Sequence, residues 1–147
     1  MFPHRLPATC LAAVLLLSTL GCSKKADSPP PAMAALEGSW NPTQSVATTY
    51  NNAGVQIDQQ TYNNPPGNTN YTTFTSTTMQ LFTSGGVGVT GPQPYTRLGN
   101  TLTFEPSNPL PPYTIRQLTA TELTLFQVVP GSFQNGHTDY ETHYTRR

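Results

Sequence analysis

The stretch 94–104, PYTRLGNTLTF, decides the fold class of this chain. Its two flanks, 95–98 and 101–104, are built from Thr, Leu, Tyr and Phe together with one Arg, and most of these residues suit pleated strands. Between the flanks lies Gly99-Asn100, a pair that accepts the positive φ of a tight hairpin turn. The stretch therefore predicts two antiparallel strands joined by a two-residue turn.

The same pattern of short strand-like runs and turn residues extends in both directions from this hairpin. Runs of Ala, Leu, Glu and Lys with a helical period are missing beyond residue 35. Evenly spaced short strands are typical of sandwiches and barrels, so we predict an all-β domain of about eight to ten strands. The strand candidates are 45–50, 55–62, 71–78, 79–83, 87–90, 95–98, 101–104, 113–118, 123–129 and 138–146.

Three segments between these candidates are loops by composition. Residues 63–70, NNPPGNTN, and residues 130–136 are rich in turn formers. Residues 105–112 contain four prolines, which a central strand does not accept. The segments divide the domain into hairpins without marking a further domain boundary.

The amino-terminal segment has the parts of a secretory signal: the charge of Arg5, an apolar run over 8–20 and the small residue Gly21. The run of about 13 residues is shorter than the ~20 that cross a bilayer as a helix. Residues 18–22, STLGC, resemble a bacterial lipobox, the site that lipoprotein signal peptidase cleaves. The resemblance implies a signal peptide at 1–21 and lipidation of Cys22.

The two cysteines favour a lipid anchor over ordinary secretion with Cys22 as an incidental thiol. Cys10 lies within the signal, so the processed chain would keep Cys22 alone and form no internal disulfide. Two or more acyl chains hold a protein stably on a membrane. We expect a lipidated Cys and a Pro-rich disordered tether at 22–35, and a location in the cell envelope. Ser23 after the Cys favours the outer membrane under the enterobacterial sorting rule, with the periplasmic and surface faces both open.

The remaining residues, 36–147, are enough for one domain of about 110 residues. They carry few charges, and the acidic ones outnumber the basic ones, so no positive field for nucleic acid is expected. The basic residues are Arg97, Arg116, Arg146 and Arg147, and the acidic ones are Glu37, Asp58, Glu105, Glu122, Asp139 and Glu141.

Several motifs of this domain occur in one order: LEGSW at 36–40, MQLFTSGGVGV at 79–89, PYTRLGNTLTF at 94–104, YTIRQLTATELTL at 113–125 and YETHYTRR at 140–147. This order resembles the small lipocalin-like domains of Bacteroidetes envelope lipoproteins. The resemblance implies an up-and-down antiparallel β-barrel. It also implies that Trp40 packs across the closed end of the barrel, against either Arg146 or Arg147 from the last strand.

Barrel closure is also reasonable on physical grounds, because it removes the exposed edges of consecutive hairpins. A cylinder of about eight strands holds packed side chains or one small ligand, and the same inward residues would serve for both. We favour a mostly filled interior or a shallow open mouth. The candidate ligand-lining residues are Tyr95, Phe104, Tyr113, Leu125, Tyr140 and Tyr144. The full inward set adds Trp40, Val55, Ile57, Phe74, Leu81, Leu102, Ile115 and Leu123.

Residues 137–143, HTDYETH, are the sharpest candidate for chemistry. On a strand His137, Asp139, Glu141 and His143 share one face. The two His would lie ~20 Å apart at ~3.3 Å per residue, which is too far for one metal ion. The favoured interpretation is a solvated outer face, and no metal is expected.

The sequence favours a binding function over an enzymatic one, since no Cys nucleophile remains and no Gly-x-Ser-x-Gly elbow occurs. We expect a monomeric lipoprotein without cofactor that binds a small apolar or amphipathic ligand or an envelope component. Tyr50, Tyr62 and Tyr71, near the 63–70 loop, are candidates to grip a partner or a sugar. One alternative is an interaction lipoprotein with a solid barrel that acts through its loops. A weaker alternative is a hydrolase that uses the Asp139–His143 strand.

Overall fold

The computed structural model describes residues 35–64, 70–106, 110–131 and 136–147. The predicted signal peptide at 1–21, the lipidation site Cys22 and the tether up to residue 34 lie outside the described residues. All regular structure within the described ranges is β-strand. Among these residues there is no helix with the length and apolar character of a transmembrane span.

The described residues form nine strands, and all their pairings are antiparallel. Their bounds are β1 Gly38–Tyr50, β2 Gln56–Asn63, β3 Tyr71–Phe74, β4 Thr78–Phe82, β5 Gln93–Leu98, β6 Thr101–Phe104, β7 Tyr113–Leu118, β8 Glu122–Pro130 and β9 His137–Arg146.

Strand β1 closes the sheet because it pairs on both of its edges. On one edge it pairs with β9 along its length, from Trp40 opposite Arg146 to Tyr50 opposite His137. On the other edge its first residues, 38–40, pair with β3, and its later residues, 44–50, pair with β2. Eight strands, β1 and β3 to β9, therefore form a closed barrel, and β2 is an extra strand. The prediction of an all-β antiparallel barrel is confirmed.

The later half of β1 continues past the barrel with β2, β9 and β8 beside it. We call this part the extension: β2 together with 45–50 of β1, 137–142 of β9 and 128–130 of β8. Its register aligns Ala47 with Gln60 on one side and with Tyr140 on the other, and Tyr140 lies opposite Gln127. Strand β7 pairs with β8 only as far as Gln127, so residues 128–130 of β8 extend beyond the barrel without a β7 partner.

The core fills the barrel with apolar and aromatic side chains. Phe74, Tyr95, Phe104 and Tyr113 form a chain of ring contacts with centroids 5.6–6.3 Å apart. Each large side chain buried in this way contributes about 1.5–3 kcal/mol relative to exposure. The buried set is Leu36, Trp40, Phe74, Tyr95, Leu102, Phe104, Ile115, Leu123 and Leu125, with Met79, Tyr113, Leu118 and Tyr144 packed against it.

The prediction that Val55 and Ile57 point into the barrel is wrong, since they are 57% and 53% exposed. Ile57 lies on β2 and Val55 just before it, and β2 stands outside the closed barrel. Tyr140 was also predicted to be inward and is 40% exposed. It lies on the face of β9 that is continuous with the interior, but at a position beyond the barrel.

The predicted strand 71–78 is divided in the structure by a tight turn at Thr75–Thr78. The Thr75 Oγ1 accepts the N–H of Thr78 at 2.9 Å, and the Thr75 N–H donates to the Thr78 carbonyl at 2.8 Å. Side-chain oxygens of Thr compete for backbone donors in this way and stop a strand. The segment therefore forms the β3–β4 hairpin instead of one long strand.

Candidate functional site

Trp40 and Arg146 pack against each other where β1 begins and β9 ends. Trp40 is fully buried, and its Nε1 donates to the Leu36 carbonyl at 2.8 Å. The Arg146 Cζ lies 4.7 Å from the centre of the Trp40 ring. The Arg146 guanidinium also donates to the carbonyls of Ala35, at 3.1 Å, and of Glu37, at 2.8 Å. These contacts hold the segment before β1 across the barrel end.

The resemblance left Arg146 and Arg147 open as partners of Trp40. The structure places Arg146 over Trp40, while the Arg147 Cζ lies 4.0 Å from the Tyr71 ring centre. Register explains the difference, because Arg146 is the residue opposite Trp40 in the β1–β9 ladder. The two arginines therefore stabilise different parts of the domain.

Five of the six predicted ligand-lining residues belong to the packed interior. Tyr95, Phe104 and Leu125 are buried, and Tyr113 and Tyr144 pack against them. Burial is the largest cause that raises the pKa of the Tyr144 hydroxyl far above its ordinary value, and the nearby Tyr113 raises it further. Burial also raises the pKa of Tyr113 and of Tyr95. The interior tyrosines are thus neutral hydrogen-bonding groups inside a filled barrel.

Polar contacts of two inward side chains tie neighbouring segments to the barrel. The Tyr95 hydroxyl donates to the Thr75 carbonyl at 2.6 Å. The buried Gln127 donates from Nε2 to the Pro111 carbonyl at 2.7 Å, which ties the segment before β7 to β8. A buried amide left without a partner would cost about 1–3 kcal/mol, so these bonds fix the positions of both segments.

A groove with a volume of about 590 Å³ lies on the extension, on the face that continues the barrel interior. Four strands supply its lining: β1 and β9 provide the middle, β2 one wall and β8 the other. Its main lining residues are Ala47, Thr49, Asp58, Gln60, Tyr62, Val129, Thr138 and Tyr140, with Ile57, Pro130, Gly131 and His137 beside them.

The β2 wall of the groove carries a connected row of polar side chains. The Tyr62 hydroxyl donates to the Gln60 Oε1, and the Gln60 Nε2 donates to the Asp58 Oδ2 at 3.0 Å. In the middle of the groove the Thr49 and Thr138 hydroxyls lie 3.2 Å apart. Asp58 remains an exposed carboxylate that accepts further donors from solvent or from a ligand. The groove thus combines hydrogen-bonding groups with the exposed rings of Tyr62 and Tyr140.

The sequence predictions named four residues of this groove but placed them elsewhere: Tyr140 and Ile57 in the barrel interior, Tyr62 at a loop rim and His137 on the outer face of the last strand. They did not identify Asp58 or Gln60. The alternation of β2 places Asp58, Gln60 and Tyr62 on one face, and this signal was present in the sequence. The missing information was the pairing of β1 with β9, which sets that face beside Tyr140.

Asp139, Glu141 and His143 of the HTDYETH segment lie on the opposite, outer face of β9, as the alternation predicts, while His137 at its start borders the groove. The His143 Nε2 is 3.1 Å from the Glu141 Oε1, and the His137 Nε2 is 3.6 Å from the Asp139 Oδ1. Glu141 also forms an ion pair with Arg116, whose Cζ lies 3.5 Å from the centre of the Phe126 ring. Within the described ranges no group of three or more His, Cys, Asp or Glu side chains is arranged to hold a metal ion.

No protein-family model, curated protein or solved structure matches the chain. The resemblance to lipocalin-like envelope lipoproteins stays a prediction that rests on the sequence motifs.

Proposed function

We propose that this chain is a non-enzymatic, lipid-anchored binding protein of the bacterial cell envelope, and that it holds an amphipathic molecule in the groove of the extension. The observation that carries the proposal is the groove of about 590 Å³ above a barrel whose interior is occupied by side chains. The barrel is then the support of the site, and the extension is the site.

The size and lining of the groove support this ligand class. Ligand sites in proteins are commonly concavities of about 300–1,000 Å³ with an apolar lining and a few polar groups. Tyr62 and Tyr140 offer ring faces for a flat apolar surface, and each ends in a hydroxyl. Asp58 and Gln60 offer acceptors and a donor for hydroxyl or ammonium groups. A molecule with one apolar side and one hydroxylated or cationic side uses both kinds of lining.

The lipid anchor is supported by the sequence alone. The apolar run 8–20 ends in Gly21-Cys22, and Cys22 is the sole cysteine of the processed chain. The tether at 22–35 would hold the domain in the envelope at the outer membrane. The lipocalin-like family resemblance belongs to the same proposal.

The non-enzymatic part of the proposal is supported by the engagement of the outer-face carboxylates. Glu141 is bound by Arg116 and by His143, and Asp139 lies beside His137. The contacts of Glu141 occupy one of the two carboxylates that the hydrolase alternative would need free for proton transfer. The filled interior also favours the alternative of a solid barrel that binds through its surface. In this proposal the binding surface is the groove.

The test is native mass spectrometry of the lipidated protein extracted from its host membranes in mild detergent. We expect a retained small molecule on the wild type and its loss from Tyr62→Ala and Tyr140→Ala. Leu98→Ala is the control, because Leu98 is 86% exposed at the β5–β6 turn and lies outside the groove. A retained molecule that survives both groove substitutions, or an absence of any retained molecule, would contradict the proposal.

A further inference from the structure

Within the part of the chain that the structure describes, strand β2 has one edge that pairs with no other strand. Among the nine strands it pairs with β1 alone, and all eight of its residues are exposed. Natural edge strands are usually protected by Lys, Pro or short length. Gln56–Asn63 contains neither Lys nor Pro, and Asp58 is its one charged residue. The edge is therefore open to pairing with a further strand.

The direction of the backbone groups on this edge follows from the β1–β2 ladder. The Asn64 N–H donates to the Thr43 carbonyl at 2.9 Å. Bonded pairs alternate in an antiparallel ladder, so the even-numbered residues of β2 face β1 and residues 59, 61 and 63 face outward. Gln59 fits this pattern, because its N–H donates to the Asp58 Oδ1 at 2.8 Å. The outward groups match those of an added antiparallel strand.

We propose that the edge of β2 pairs with β2 of a second copy of this chain, antiparallel and about a two-fold axis at Gln60. In such a pair, residues that lie opposite each other point to the same face of the sheet. Because side chains alternate along β2, an even-numbered residue therefore lies opposite an even-numbered one, and an odd-numbered residue opposite an odd-numbered one. With the axis at Gln60, Gln59 lies opposite Thr61 of the second copy, and Asp58 lies opposite its Tyr62. The carboxylate of each Asp58 then lies opposite the uncharged Tyr62 of the other copy and not opposite a like charge.

Charge and hydrogen bonding select this register over its neighbours. An axis at Asp58 would set two carboxylates opposite each other, which is unfavourable. An axis at Gln59 would leave the outward groups of Asn63 outside the paired stretch, and an axis at Thr61 would shorten that stretch to residues 59–63 of β2. The axis at Gln60 pairs residues 57–63 and opposes no like charges. It therefore gives the longest paired stretch that includes Asn63.

The pairing has a consequence for the groove. Asp58, Gln60 and Tyr62 form the β2 wall in each copy, and all three lie on one face of β2. Across the two-fold axis the two walls become neighbours, and the two extensions join into one eight-stranded sheet. The proposal goes beyond the proposed function and replaces the sequence-based expectation of a monomer. It does not depend on whether a ligand is retained.

Cysteine cross-linking in the full chain tests the proposal. Gln60→Cys places two thiols across the axis, where opposed residues that share no backbone bonds have Cα atoms about 4.5 Å apart, within disulfide range. Gln59→Cys is the matched control on the same exposed strand. The two cysteines of the Gln59→Cys dimer would be offset by two residues along the paired strands. Their Cα atoms would then be more than about 7 Å apart, which is too far for a disulfide.

The variants are expressed with the native signal and Cys22 in a bacterial host, oxidised with copper phenanthroline and separated on non-reducing gels. We expect a covalent dimer of Gln60→Cys at a yield at least about tenfold above that of Gln59→Cys. Adding Thr61→Pro to Gln60→Cys should remove the dimer, because Pro deletes an outward N–H, while Thr61→Val should preserve it. Equal yields, a stronger Gln59→Cys dimer, no dimer, an unaffected Thr61→Pro dimer or cross-linking to another protein would each overturn the proposal.

Discussion

The guanidinium carbon of Arg146 lies 4.7 Å from the centre of the Trp40 ring, and the two residues are also opposite each other in the β1–β9 ladder. The pairing that closes the sheet into a barrel thus also places the cation that covers the barrel end. Arg146 also donates hydrogen bonds to the carbonyls of Ala35 and Glu37, and these bonds hold the segment before β1 beside Trp40.

Replacement of Arg146 by Ala should lower the free energy of unfolding by about 2 kcal/mol. It removes a cation–π contact of about 0.5–2 kcal/mol and two charged hydrogen bonds of about 1.5–3 kcal/mol each in favourable settings, and solvent at this exposed residue weakens all three. Arg147→Ala is the control and should cost less than about 1 kcal/mol, because it removes the single contact with Tyr71. Urea unfolding followed by Trp40 fluorescence measures both, and equal losses would contradict the assignment of Arg146.

Gly38→Ala should destabilise the domain by about 1–3 kcal/mol. Gly38 has φ +126°, and an added Cβ would lie 3.0 Å from the Arg146 Nη2. The substitution therefore adds backbone strain and displaces the guanidinium that covers Trp40. Gly85→Ala is the control, because a Cβ there meets open space and should change stability by less than about 0.5 kcal/mol. Thermal unfolding measures the stability of the two variants. A Gly38→Ala protein as stable as the control would contradict the close approach of Arg146 to Gly38.

Stability should fall at alkaline pH because the buried Tyr144 hydroxyl stays protonated in the folded domain. Its pKa is raised above 10.0 by burial, so the unfolded chain releases this proton first as the pH rises. The folded state binds more protons than the unfolded state above pH ~10, and the free energy of unfolding decreases with pH there. Below pH ~10 the contribution is fully present.

Urea unfolding between pH 8 and pH 11 measures this dependence. Tyr144→Phe should make the decrease above pH ~10 shallower, and the raised pKa of Tyr95 and of Tyr113 should keep part of it. A slope that is the same in the wild type and in Tyr144→Phe would mean that Tyr144 is not the responsible group.

Cys22→Ala should release the protein from the membrane fraction, because the residue that would receive the lipid is gone. Ser23→Ala is the control and should leave the protein in the membrane fraction. Cell fractionation and immunoblotting measure both, together with the intact mass of the wild-type amino terminus. A Cys22→Ala protein that stays with the membrane would contradict the anchor.

Much of the fold could be predicted from local chemistry. Gly99-Asn100 predicts its hairpin, and Gly99 has the positive φ of 59° that such a turn uses. The alternation around Leu123 and Leu125 predicts an inward face, and both side chains are buried. Such features depend on near neighbours in the sequence, where turn preference and the two-residue period decide the outcome.

The remaining features depend on distant pairings that the sequence does not express locally. Ile57 has the β-branched, apolar character of a core residue but lies on a strand that stands outside the barrel. Leu36 is buried although it precedes β1 and has no alternating neighbours, because the Trp40 Nε1 and the adjoining Arg146 contacts hold its segment over the barrel end. The groove needs Ala47 to lie between Gln60 and Tyr140, and only the full register gives that arrangement.

The most direct test of the central claim compares backbone amide chemical shifts of the protein with and without the molecule retained from its host. The account predicts that the changes fall on the extension, at Ala47, Thr49, Gln60, Thr138 and Tyr140. Changes confined to the barrel interior, at Leu102, Phe104 and Ile115, would contradict the claim that the groove is the binding site.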